Sequence, residues 1–202
     1  REDHPIKVRV GGWYKAPTKA QLDALVPDIE WALEQSKETV RLVATLDFPK
    51  LEMEPELVAL DAGGEYPIDH GERLISSLGL DIPISEVYDH VVEEHVEHSN
   101  ALHARLRERG SYLVGPCARY ALHRELLTPQ ARAAADEVGL EPIVRNPLLS
   151  MIVRSVRHVH ACEEAVRLIR NAIPLSDPFP YYVHWSLDVP TFAYAAAAAL
   201  VT

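Results

Sequence analysis

The chain is short of cysteine. It has two in 202 residues, Cys117 and Cys162, and neither belongs to a C-x-x-C pair. Two thiols cannot staple a small secreted scaffold, so the expected compartment is the reducing cytoplasm. Positive charge is also scarce: 20 Lys and Arg face 30 Asp and Glu, a formal charge of −10. A field of that sign repels nucleic acid and anionic lipid, and neither is expected as a partner. No long apolar run occurs. The most apolar stretch, "TFAYAAAAALVT" at the C-terminus, falls well short of the ~20 residues needed to span a bilayer. Neither G-x-G-x-x-G nor G-x-x-x-x-G-K-S/T is found, "GGWYKAP" lacks the spacing of a phosphate-cradling loop, and no serine sits in G-x-S-x-G. The first residues, "REDHPIKVRV", are charged from the start, and no signal peptide is expected there.

What remains is ordinary for a globular protein: 48% apolar and 25% charged residues, enough for one domain with room for an appended lobe. Because Arg1 is not methionine and a strand pattern begins almost at once, the chain reads as cut from something longer. No internal repeat or low-complexity linker precedes residue 174. From Pro174 the texture changes to a Pro-, Tyr- and Ala-rich segment, so residues 174–202 are expected to form a loosely attached tail whose last alanines are weakly helical.

Ile6, Val8 and Val10 alternate with Lys7 and Arg9, a half-buried strand closed by Gly11-Gly12. Thr18 with Gln21 makes a capping box. Pro27 breaks that run and can serve as the first residue of a second helix, whose stripe is Ile29, Leu33, Val40 and Val43 and which reaches about Leu46. Residues 57–80 read as strands broken by turns, with a hairpin at Gly63-Gly64 and a bend at Gly79. Ser85 is the expected cap of a helix carrying Val87, Val91 and Val92. A second hairpin spans 98–115, with Arg109-Gly110 as its turn and "SYLVG" as its returning strand. Thr128-Pro129 starts a short helix with Gly139 at C′. Asn146-Pro147 opens the longest helix, roughly 147–171, striped by Ile152, Val156, Val159, Val166 and Ile169. The fold class is α+β, predominantly α, with long helices beside small hairpins.

Residues 93–103, "EEHVEHSNALH", hold the densest set of metal-ligand residue types. If a helix continued through them, Glu94 and His98 would lie four apart on one face, as would His95 and Ser99, a spacing that can hold zinc or one iron of a carboxylate site. A carboxylate-bridged di-iron bundle needs such a pair twice. The other cluster is "HVHACEE", where His160 and Glu164 are four apart, but on the apolar stripe of the longest helix they are more readily packed or solvated. The favoured reading of 93–103 is a polar helix end running into a strand edge, with Asn100 and His103 bonding neighbouring loops. Cys117 lies near Arg119, a cation that would lower its pKa and activate it; a small buried hydrophobe is the commoner role. Cys162 reads as packing. Arg145, Arg154, Arg157 and Arg167 read as a partly basic helix edge of solvated ion pairs.

Four stretches together carry a specific resemblance: "HPIKVRVGGWYKAPT", "EYPIDHGERLISSLGLDIPISE", "EEHVEHSNALHARLRERGSYLVGPCARYAL" and "AAADEVGLEPIVRNPLLSMIVRSVRHVHACEEAVRLI". In order and spacing they resemble the large subunit of nickel–iron hydrogenases. They look most like the cytoplasmic, multisubunit members linked to nicotinamide cofactors, which include the sulfhydrogenases. The likeness runs from about His4 to Ile173, so residues 1–173 correspond to the central region of such a subunit. It implies reversible splitting of dihydrogen at a nickel–iron centre, with iron–sulfur clusters of a partner small subunit carrying the electrons. It also implies that the metals are held by four cysteines in two C-x-x-C pairs, soft ligands for soft metals.

Neither pair is in this sequence. By the resemblance, one is expected upstream of Arg1. The other is expected beyond a Gly-rich stretch, with its active-site Pro-Arg, that should follow residue 174; the tail there resembles nothing in the family, as a shifted frame or premature end would give. Cys117 stands where the family usually has leucine, Cys162 matches a cysteine on a packing helix, and Glu97 stands where proline is frequent. The segment "EEHVEHSNALH" is then scaffold outside the nickel shell. No residue of this chain is assigned a catalytic, cofactor-binding or metal-binding role, and the chain by itself is expected to hold no cofactor and to be inactive. The alternative is a non-catalytic scaffold that still docks a small-subunit-like protein. A third reading is an independent metalloenzyme built on Glu94, His95 and His98.

Overall fold

A computed structural model describes residues 17–68 and 70–171, and the backbone at 8, 9, 12 and 13. The expected tail, 174–202, and the alternating positions Ile6 and Val10 lie outside the described residues. The chain divides into two units. One comprises Ile29–Val166; the other comprises the described parts of 1–28 and the helix end from Arg167.

In the smaller unit, β1 (Val8–Arg9) pairs antiparallel with β2 (Gly12–Trp13), Val8 facing Trp13 and Arg9 facing Gly12. The short helix α1 (Lys19–Asp23) is held by the expected capping box: the Thr18 hydroxyl accepts from Gln21 N–H, and the Gln21 side chain accepts from Thr18 N–H at 2.9 Å. Helix α2 (Val26–Ala44) has Pro27 in its first turn, where a missing N–H leaves no bond unmade.

The larger unit is built on α2 and α4 (Pro116–His123), α5 (Pro129–Glu137) and α6 (Ser150–Asn171). Their stripes meet in one core: Leu33 and Val40 of α2, Tyr120 of α4, Ala131, Ala134 and Ala135 of α5, and Ile152, Val153, Val156 and Val159 of α6. The three alanines have no bulk to hold neighbouring helices apart. Val156 and Val159 are fully buried, each stabilising by about 2 kcal/mol. Helix α6 opens as the sequence indicates: Asn146 Oδ1 accepts from Leu148 N–H at 3.0 Å, and a 3-10 turn, Pro147–Leu149, leads into the helix. At the end of α5, Gly139 takes φ +66. There the N–H groups of Leu140 and Gly139 return to the carbonyls of Ala135 and Asp136, the Schellman pattern for which glycine is favoured.

Beside the helices lies a four-stranded sheet of β5 (Asp81–Pro83), β4 (Arg73–Ser76), β3 (Glu56–Asp61) and β8 (Tyr112–Leu113), in that order. β3, β4 and β5 run antiparallel. β3 is covered on both faces, by α4 on one side and by Leu80, Ile82 and Leu106 around Val58 on the other. The β3–β4 connection is longer than the tight Gly63-Gly64 turn expected from the sequence. It closes at Gly71, where a Cβ would come within 2.9 Å of the Asp61 carbonyl.

Two further expectations are corrected. The helix begun near Ser85 is only Val87–His90 (α3); Ser85 sits within a preceding 3-10 turn and does not cap it. Val91 and Val92 belong instead to a strand, β6 (Val91–Glu94), paired antiparallel with β7 (His103–Leu106). β-branched valines lose rotamer freedom in a helix and fit a pleated surface, and here cross-strand pairing outweighs the helical spacing. The second correction concerns 98–115. The turn at Arg109-Gly110 is present, with Gly110 bridged to Leu106, but the returning strand β8 (Tyr112–Leu113) leaves the hairpin and pairs parallel to β3. Arg109 fixes this departure. Its guanidinium donates to both carboxylate oxygens of the buried Glu56, at 2.7–3.1 Å, and to the Leu78 carbonyl at 2.8 Å. Ser76 Oγ donates to the same carboxylate at 2.5 Å. Bonding to Arg109, above all, holds the Glu56 carboxyl below its ordinary range.

Candidate functional site

Residues 93–103 form one end of the β6–β7 pair and the turn beyond it. Glu94 ends β6 opposite His103, so the two share a face, and Arg105 on the same face donates from Nε to Glu94 Oε1 at 3.3 Å. The His98 ring meets the His103 ring edge-on, with centroids 5.3 Å apart. Alternation explains the placement: Val91 and Leu106 turn inward, while Glu94, His103 and Arg105 turn outward. Because the segment is a strand followed by a turn, Glu94 and His98 are not on one helical face, which corrects the geometry on which the metalloenzyme reading rests. Glu93, Glu94, His95, Glu97, His98, Asn100 and His103 are all exposed. Among the described residues no three His, Cys, Asp or Glu side chains converge on a position for a metal ion.

The chemically richer place is where the β3–β4 connection meets α4 and α6. Tyr66 is buried there, its ring tilted against that of His160 at 4.8 Å. His160 is itself buried, and its Nδ1 accepts from Thr128 N–H at 3.2 Å. That bond requires an unprotonated Nδ1; burial pushes the imidazole pKa down, with Glu163 and Glu164 opposing. On α4, Arg119 donates from Nη1 to the carbonyls of Ile68, at 2.9 Å, and Pro67, at 3.4 Å. His123 Nε2 meets the Leu60 carbonyl at 2.7 Å, tying α4 to β3. Arg157, one turn before His160, has its pKa lowered by burial and by the neighbouring Arg119 and Arg154.

The two cysteines are packed. Cys117 is buried in the first turn of α4, where burial pushes its thiol pKa up despite the opposing charge of Arg154. It is a small hydrophobe, and the Arg119 beside it in sequence is engaged by backbone carbonyls. Cys162 is half-buried, with Sγ 3.7 Å from Ser36 Oγ on α2. The basic helix edge is also revised. Arg145 does pair with Glu54 at 3.4 Å, but Arg157 is crowded by like charges rather than solvated in an ion pair. Tyr66 and His123 escaped sequence reasoning, and Arg119 entered it only as a neighbour of Cys117, because the three come together only through contacts distant along the chain. The proline after Tyr66 marks a turn and gives no sign of a buried ring.

Sequence comparison supplies what geometry does not. Over 174 residues, 86% of the chain, it is 25% identical to the sulfhydrogenase 1 subunit alpha of Pyrococcus furiosus. The chain is similar to part of a hydrogenase alpha subunit. It spans about 40% of that relative's length. No protein-family model matches the chain. Among the described residues no helix is long and apolar enough to cross a membrane.

The resemblance implies a nickel–iron centre, a group held by soft donors. Four thiolates are needed. This sequence has two cysteines, one buried with its thiol held protonated and one against a serine hydroxyl on a helix face. The residues present do not fit that group.

Proposed function

We propose that residues 4–173 are the central framework of a nickel–iron hydrogenase large subunit of the cytoplasmic kind, working in a complex with an iron–sulfur small subunit. The metal-binding thiolates belong to segments outside these residues. The complex as a whole interconverts dihydrogen with protons and electrons. The observation that carries this reading is the similarity to a sulfhydrogenase alpha subunit along 86% of the chain. The packing supports the framework role. The cysteines serve the core, the best-formed polar contacts (Glu56 with Arg109, His160 with Thr128, His123 with Leu60) fasten secondary structure, and the His- and Glu-rich segment is an exposed strand end.

The test is purification of the native complex through a tag on this chain. The reading predicts nickel and iron in that complex and reduction of a viologen dye under hydrogen. The chain expressed alone should show neither. A complex that carries no nickel and reduces no dye under hydrogen would contradict it and leave the non-catalytic scaffold.

A further inference from the structure

Tyr66 is 6% exposed, and its hydroxyl has no hydrogen-bond partner among the described residues. A buried O–H left unmade costs roughly 1–3 kcal/mol, and folded proteins rarely tolerate one. The surroundings of this hydroxyl are unusual for so acidic a chain. Burial pushes the phenol pKa up, and the charges of Arg157 and Arg119, from two different helices, oppose that rise. Arg119 is anchored to the two carbonyls that follow Tyr66. Arg157 sits one helical turn from His160, on which the Tyr66 ring rests, and Arg154 one turn further along the same face. The nearest acids on α6 are Glu163 and Glu164, which act on His160; Glu163 accepts from Gln130 N–H at 3.1 Å. Among the described residues no carboxylate pairs with Arg119, Arg154 or Arg157. Three clustered guanidinium groups repel one another, and a half-buried one loses hydration as well. What the cluster wants is an acceptor carrying negative charge.

We propose that the Tyr66 hydroxyl with the guanidinium groups of Arg119 and Arg157 forms a binding site for a small oxyanion of the carboxylate or phosphate class. The phenol contributes a single directed O–H, and the arginines contribute planar forks suited to two oxygens. Arg154, exposed on the same helix and acting on Arg157, adds attraction at longer range. The bound anion supplies the missing acceptor and relieves the repulsion among the cations. This site stands whether or not the chain serves a hydrogenase, and its test reads anion binding alone.

The experiment is thermal unfolding of the full chain titrated with inorganic phosphate and, separately, with acetate, each against sodium chloride at matched ionic strength. Saturable stabilisation by either anion is expected, since a ligand of the folded state raises Tm with concentration. The stronger of the two identifies the class. Tyr66→Phe and Arg157→Gln are each expected to weaken the apparent affinity by roughly tenfold or more. Without anion, Tyr66→Phe should unfold no earlier than the parent, because it removes an unsatisfied hydroxyl and keeps the ring. That second readout separates a ligand site from a merely structural tyrosine, and it keeps the test decisive should Arg157→Gln fold poorly. The proposal is overturned if neither anion stabilises beyond chloride, if the response persists unchanged in Tyr66→Phe, or if Tyr66→Phe is destabilised without anion.

Discussion

The β6–β7 hairpin and the middle of α6 each bring histidines together with glutamates, and they use them in opposite ways. In the hairpin, His98 and His103 touch ring to ring on a solvated face and Glu94 is taken by Arg105. In α6, His160 lies inside the protein, bonded to the Thr128 backbone and covered by Tyr66. Residue types fix what a cluster could bind, but burial and the direction of its neighbours decide what it does. A histidine in a polar run has water as an alternative partner, so little depends on it. A histidine on an apolar stripe must find a partner inside, and the structure comes to depend on that bond.

The comparison can be broken most easily at His160. His160→Ala leaves the buried Thr128 N–H unpaired and opens a hole beneath Tyr66. We expect it to lower stability by roughly 2–4 kcal/mol in chemical denaturation. The same residue gives a pH signature. Its pKa in the folded protein is depressed, so the unfolded chain takes up a proton first as pH falls. The stability it contributes is complete above the unfolded value, about 6.5, and is lost as pH falls through that value toward the folded one. Tm of the parent should therefore decline below about pH 6.5, and His160→Gln should flatten that part of the profile. A parent Tm that is level across this range would remove the claim that His160 is held neutral. At the other extreme, His98→Ala and His103→Ala should each change stability by no more than about 0.5 kcal/mol, as surface substitutions do. A large loss at either would put the hairpin histidines on the same footing as His160 and erase the contrast.

Local signals in the sequence translated well into structure where their partners lie a few residues away. Thr18 and Gln21 form the capping box, Pro27 starts α2, Asn146-Pro147 opens α6, and Gly139 ends α5. The α6 stripe fills the core with Ile152, Val156 and Val159 as its spacing indicates. The failures involve partners far along the chain. Val91-Val92 reads as helix until β7 is beside it, and nothing local tells Tyr112 to join β3 in parallel across more than fifty residues. The Tyr66 site has the same origin, with its residues drawn from the β3–β4 connection, α4 and α6. The hydrogenase likeness was legible only as ordered stretches of resemblance, since neither C-x-x-C pair that the resemblance implies is in the sequence.

The most direct measurement is the nickel content of the purified chain after incubation with nickel under reducing conditions and removal of loosely held ion. If these residues are framework, the chain retains far less than one nickel per molecule, and replacing Cys117 and Cys162 with serine changes nothing. One tightly held nickel per chain, lost on those replacements, would contradict the account.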